Sequence, residues 1–164
     1  MGSDGIKKTT KAALLAALTF AATMMIRIPV PATGGYVHPG DALVFLGGAL
    51  VGPLYGFLGA GIGSALADVA GGYMVYVPAT FVIKGLAALV TALIYRRNEK
   101  TGWLALGSLA GAAVIVLGYF AFEGALYGFP AAFVAIFPNV VQVLFGVLVA
   151  TALRAQGAVK MFER

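Results

Sequence analysis

Six apolar stretches follow one another along this 164-residue chain, separated by breaks rich in glycine, proline or charge. They cover residues 9–26, 41–51, 54–69, 79–95, 103–122 and 130–153. A membrane-spanning helix needs about 20 apolar residues. The pattern therefore predicts an all-α membrane protein, a compact bundle of six transmembrane helices forming one domain over residues 9–154. The second and third stretches are short and are expected to be tilted or partly re-entrant. Residues 27–40 hold three prolines and three glycines, which rules out a helix there. They are expected to form a long outer loop, followed by outer loops at 71–78 and 123–129. Gly52-Pro53 predicts a tight inner turn, and 96–102 an inner loop. Asp41 heads the second stretch and is expected to cap its helix. No internal repeat stands out, which argues against an inverted-repeat transporter.

Composition agrees with this reading. Hydrophobic residues make up 61%, charged residues 10%, and the mean hydropathy is +0.97, against about 25% charged in a soluble domain. The many glycines and alanines supply the small surfaces on which helices pack in lipid. Nine of the eleven basic residues fall in three clusters: Lys7, Lys8 and Lys11; Arg96, Arg97 and Lys100; Arg154, Lys160 and Arg164. Basic residues beside membrane spans mark the cytoplasmic side, so both termini and the central loop are expected there. Residues 1–8 are expected to be a flexible N-terminus, and 155–164 a basic cytoplasmic tail. The net charge of +5 is explained by topology, and no nucleic-acid partner is expected. The first apolar run follows basic residues as a signal peptide does, but it has span length and no cleavage motif before Arg27. There is no cysteine, so disulfides and thiolate metal sites are excluded.

Ionisable groups inside a membrane are costly and draw attention first. Lys84 lies within the fourth stretch, positioned to meet a ligand or to pair with Asp68 or Glu123. Asp68 ends the third stretch. Tyr119 and Glu123 are four apart, on one helix face, and Tyr127 follows. A carboxylate beside a phenol suits a ligand with hydroxyl, amine or ring N–H donors. Asn139 and Gln142 share a face of the sixth stretch and are able either to bond neighbouring helices or to read a heterocycle. Tyr73, Tyr76 and Thr80 flank the second outer loop, where tyrosine commonly serves as an interfacial belt. His38 is the lone histidine and is expected at the surface. With no second His or Cys, a common zinc site is excluded. No phosphate-binding Gly-Lys-Ser/Thr loop is present, and no cofactor is expected. Ala12, Ala13, Ala16, Ala17 and Ala21 recur at helical spacing and leave a smooth strip, for internal packing or for another membrane subunit.

These pieces together resemble the substrate-binding S components of energy-coupling factor (ECF) vitamin transporters, in the group labelled riboflavin-type. The matching elements are Ile-Pro-Val-Pro-Ala-Thr-Gly-Gly-Tyr-Val-His-Pro-Gly-Asp from Ile28 to Asp41 and Gly-Pro-Leu-Tyr-Gly from Gly52 to Gly56. Gly-Ser-Ala-Leu-Ala-Asp from Gly63 to Asp68 and Tyr-Val-Pro-Ala-Thr-Phe-Val-Ile-Lys-Gly from Tyr76 to Gly85 follow. Tyr127-Gly128-Phe129 and the Pro138, Asn139, Gln142 segment complete the set. The resemblance covers about residues 11–153. It implies six helices in the bacterial plasma membrane and a water-soluble vitamin bound near the outer face, with the first outer loop as a lid. The site residues it implies, with the polar residues above, are Tyr36, Asp41, Asp68, Tyr76, Thr80, Lys84, Tyr119, Glu123, Tyr127, Asn139 and Gln142. Ala13, Ala17 and Ala21 match the family's docking strip for a membrane-embedded coupling subunit driven by two ATPase subunits. The S component is expected to topple in the bilayer to release its ligand inward.

The ligand is not fixed by this resemblance, since the group includes members for single-ring vitamins and precursors. A pocket with Glu, Lys, Asn, Gln and Tyr but no Trp leans toward pyridoxine or hydroxymethylpyrimidine, with riboflavin close behind. Two other classes compete. An autonomous facilitator or channel needs a polar path through both leaflets, whereas the polar residues cluster in the outer half. A lipid-modifying enzyme needs clustered acids or a nucleophile with a base, and no such set is visible; the expectation is that the protein is not an enzyme.

Overall fold

The structure, a computed structural model, describes residues 3–158. Among them six helices run in the order α1 (Ser3–Met25), α2 (Asp41–Val51), α3 (Pro53–Gly71), α4 (Val77–Tyr95), α5 (Thr101–Tyr127) and α6 (Phe129–Ala155). Between α1 and α2 a two-stranded antiparallel hairpin, β1 (Ile28–Val30) and β2 (Gly35–Val37), pairs Pro29 with Tyr36. The first outer loop is thus a small sheet, and the fold is mostly helical rather than purely so. Helix α1 begins at Ser3, ahead of the expected start at residue 9. Lys160 and Arg164 of the expected basic tail lie outside the described residues.

Four helices, α3 to α6, are long and apolar enough to cross a membrane. Helix α2 has 11 residues and rises only about 16 Å, half of the roughly 30 Å hydrocarbon core. Its length matches its position. It packs against α1, α3, α4 and α6, and Ala42, Val44, Phe45, Leu46, Gly47 and Gly48 are all buried. A helix apolar on every side belongs in a core. Around it, α1 packs on α3, α3 on α4, α4 on α5, and α5 on α6.

A single residue, Gly128, separates α5 from α6, at φ 88° where a side chain would be strained. Helix α5 therefore runs through Glu123 to Tyr127, and the outer loop expected at 123–129 is replaced by a one-residue corner. Pro138 sits inside α6, where it removes one backbone donor without ending the helix. At the other end, Lys8 and Arg96 border one depression beside the α2–α3 turn. Arg154 Nη2 donates to the Glu99 carbonyl at 3.1 Å. Described members of all three basic clusters thus gather at the end opposite the hairpin.

Gly48 sets how closely α2 approaches α4. A Cβ there would overlap the Ala88 carbonyl oxygen and lie 2.8 Å from the carbonyl carbon. Backbone cannot swing aside as a side chain does. Gly48→Ala is expected to cost about 2–3 kcal/mol, the upper range for overpacking, read as a lower melting temperature in detergent.

Candidate functional site

Beneath the hairpin, α3, α4, α5 and α6 enclose a polar cavity. Tyr36, Asp68, Tyr76, Thr80, Lys84, Tyr119, Glu123, Asn139 and Gln142 line it, nine of the eleven residues singled out from the sequence as site candidates. The hairpin supplies its roof. Tyr36 Oη on β2 donates to Asp68 Oδ1 at 2.8 Å, and its ring lies 4.5 Å from that of Tyr73. Tyr76, at the entrance to α4, has two acceptors within reach: the Thr33 carbonyl at 2.9 Å and Glu123 Oε1 at 3.2 Å. Gly35 lets that phenol pass, since a Cβ there would meet Tyr76 Oη at 3.2 Å. Thr80 and Tyr119 hydroxyls bond at 2.9 Å.

Two expected site residues stand apart. Tyr127 does not line the cavity; its ring lies 6.5 Å from that of Tyr76, and it is 43% exposed. Asp41 is fully buried behind the cavity. It does not cap α2: Gly40 holds the cap position, and no side-chain cap bond forms. Asp41 instead forms an ion pair with Lys84 through Oδ1 and accepts from Gln142 Nε2 at 2.6 Å through Oδ2. Lys84 therefore pairs with Asp41, not with Asp68 or Glu123. The explanation is geometric. Asp41 opens the central helix α2, against which α4 and α6 both pack, and Lys84 and Gln142 point inward from those two.

Sequence reasoning missed His38 and Ser64, both on the cavity wall. His38 is partly buried, not a free surface residue. Its backbone N–H donates to Gln142 Oε1 at 2.8 Å, and its Nδ1 accepts from the Gly40 N–H at 3.1 Å. Its place in a Pro/Gly loop gave no sign of this; its nearness to Asp41 in sequence was the available signal. Ser64 looked like one more small residue on a glycine-rich helix.

Burial, and then the nearby Lys84 ammonium, push the His38 imidazole down from its ordinary 6.5 to about 3, with Asp41 opposing. The proton sits on Nε2, because Nδ1 is an acceptor, and protonating Nδ1 would set two donors face to face. In the unfolded chain His38 returns to its ordinary value, so below pH 6.5 the unfolded chain binds a proton that the folded protein does not. The folding equilibrium is expected to weaken with acid by up to about tenfold per pH unit. Wild type should lose melting temperature more steeply than His38→Gln between pH 7 and 5; equal slopes would remove His38 from this role.

The fold and site together define a multi-pass membrane protein with a polar cavity roofed by the hairpin, near the end opposite its described basic residues. Carboxyl, amide, hydroxyl and ammonium groups converge there, the equipment for holding a small polar molecule. The chain belongs to the family described as the ECF-type riboflavin transporter, S component, whose profile matches residues 4–158. That family consists of transporter subunits, not enzymes. A thiamine precursor transporter, HmpT, of Lactococcus lactis subsp. cremoris (strain MG1363) is 28% identical over 154 residues, 93% of this chain and 89% of that one. An uncharacterised protein of Pyrococcus woesei is 38% identical over 127 residues, 77% of this chain and 85% of that one. Among solved structures, the S-component for biotin from an ECF-type ABC transporter shares the fold, with a TM-score of 0.58 at 16% identity, covering 100% of this chain and 99% of that one.

Proposed function

We propose that this protein captures a water-soluble B vitamin or precursor at the outer face of the cell membrane and delivers it inward with a coupling subunit and two ATPase subunits. All six helices lie in the bilayer, with both termini cytoplasmic, as the gathering of basic residues at one end supports. The observation that carries the reading is the convergence of Tyr36, Asp68, Tyr76, Lys84, Tyr119, Glu123, Asn139 and Gln142 on one cavity under a hairpin. The site leaves about 30 Å³ of free space with the hairpin down, so admitting a ligand requires the lid to lift. The lining of acids, amides, hydroxyls and one ammonium, with no Trp, leans toward a single-ring ligand, a hydroxylated pyridine or pyrimidine such as pyridoxine or hydroxymethylpyrimidine, and one relative is a thiamine precursor transporter. Riboflavin is the second reading, favoured by the family's description and by the Tyr76 and Tyr119 rings on the wall.

A channel is disfavoured by what lies below the cavity. Phe45, Leu104 and Ile115 are completely buried in one apolar core, and the buried Thr91 hydroxyl beside it is engaged with the Ala87 and Gly107 carbonyls. Mass spectrometry of small molecules released from gently purified protein tests the reading. A vitamin or precursor near one-to-one is the expected result. An empty protein that also fails to bind a titrated B-vitamin panel would overturn it.

A further inference from the structure

Asp68 and Glu123 are each only 4% exposed, yet each carboxyl group is half satisfied. Tyr36 serves Asp68 Oδ1 and Tyr76 serves Glu123 Oε1. Asp68 Oδ2 and Glu123 Oε2 form no hydrogen bond among the described residues, although the Thr80 and Thr33 side chains stand close to these two carboxyl groups, and Ser64 Oγ on the cavity wall forms none either. Tyr76 has one proton for two acceptors, Glu123 and the Thr33 carbonyl, which leaves Glu123 shorter still of donors. Buried carboxyl oxygens without donors are rare in folded proteins and call for an explanation. A ligand that brings the donors supplies one.

The positive charge on the cavity wall is already neutralised within the protein. Lys84 is its lone ammonium, and Asp41 holds it in an ion pair. Around or directly behind the cavity stand three carboxyl groups, Asp41, Asp68 and Glu123, against that single ammonium, with the Arg27 guanidinium not lining the cavity but 5.9 Å from the centroid of the Tyr36 ring. Asn139 on α6 is able to read neutral polar groups, while the Gln142 amide already bonds His38 and Asp41. An anionic ligand would bring further acceptors to oxygens that lack donors, and negative charge to a site short of positive charge.

We infer that the cavity takes a neutral or cationic heterocycle with N–H or O–H donors on two sides and rejects the anionic form of the same scaffold, Asp68 and Glu123 being the discriminating residues. This rests on the reading of the cavity as the vitamin site. Sites that hydrogen-bond a ligand's donors discriminate strongly against analogues lacking them.

The test is calorimetric titration of the purified protein with size-matched probes. These are an aminomethylpyrimidine scaffold bearing a hydroxymethyl, carboxamide or carboxylate group; pyridoxine beside pyridoxic acid; and riboflavin beside its phosphate. The carboxylate is expected to bind about 100-fold or more weakly than the isosteric carboxamide. Glu123→Gln and Asp68→Asn each place an amide donor where an acceptor stood, and at least one should narrow that gap about tenfold. A carboxylate binding as tightly as its amide would overturn the inference and leave the vitamin site standing. A gap unchanged in both variants would overturn the assignment to these two residues. Failure of every neutral probe to bind would overturn the vitamin site and the inference with it.

Discussion

Lys84→Ala is expected to destabilise the protein by about 3–5 kcal/mol, the cost of leaving one partner of a buried ion pair uncompensated. Both side chains are almost wholly inaccessible, at 1% for Lys84 and 0% for Asp41. The alanine would strand the Asp41 carboxylate at the head of α2, inside the contact between α2, α4 and α6. Gln142 would remain as a partner, but one neutral amide cannot offset a buried charge. The expected readout is a large drop in melting temperature in detergent and a poor yield of monodisperse protein. The double variant Asp41→Asn/Lys84→Met removes both charges and keeps an amide for Gln142; it should recover most of the loss. Affinity measured in that double variant then separates two roles for Lys84. Retained binding assigns it to holding α2 and α4 together, whereas lost binding in a stable protein assigns it to ligand contact. A Lys84→Ala protein as stable as wild type would refute the ion-pair account.

Lys84 also marks how far the sequence could be read. A lysine amid apolar residues signalled either a ligand partner or a structural ion pair, and the structure buries it in an ion pair. Its partner was not legible, because Asp68 and Glu123 were equally available acids and Asp41 looked like a helix cap. Choosing among three carboxylates requires knowing that α2 is the central helix, and an 11-residue apolar run does not announce this. The cavity wall was legible where polar residues interrupt hydrophobic helices, since polarity there is expensive and needs a reason. It was illegible where the contributing residue looks ordinary, as with Ser64 among glycines and His38 beside proline. The β-hairpin escaped for the same reason. Strands of three residues, with Pro29 and Pro31 in and beside them, carry too little alternation to register. Glu123 was placed in a loop because an acid after a long apolar run normally marks the membrane edge; the one-residue corner at Gly128 lets α5 carry it inside.

Ala17→Trp is expected to leave ligand affinity unchanged and to reduce partner-driven uptake to the level of vesicles lacking the coupling subunit. Ala13, Ala17 and Ala21 are exposed along one face of α1. Ala13, Ala16, Ala17 and Phe20 meet Leu66, Val69 and Ala70 of α3 in a shallow apolar groove. Association of helices in lipid depends on van der Waals contact at close range, and small residues permit that approach. An indole on Ala17 would hold a partner helix several ångströms away along the whole strip. It would not disturb the cavity, whose walls come from the hairpin and α3 to α6 and include no residue of α1. Ala17→Gly should retain uptake, because it keeps the surface low. Leu148→Trp on α6, at a position 66% exposed and outside the groove between α1 and α3, should retain it as well. The pairing of intact binding with lost uptake is the informative result. Binding and uptake falling together would indicate damage to the fold, and uptake that survives the tryptophan would place the coupling subunit on some other face.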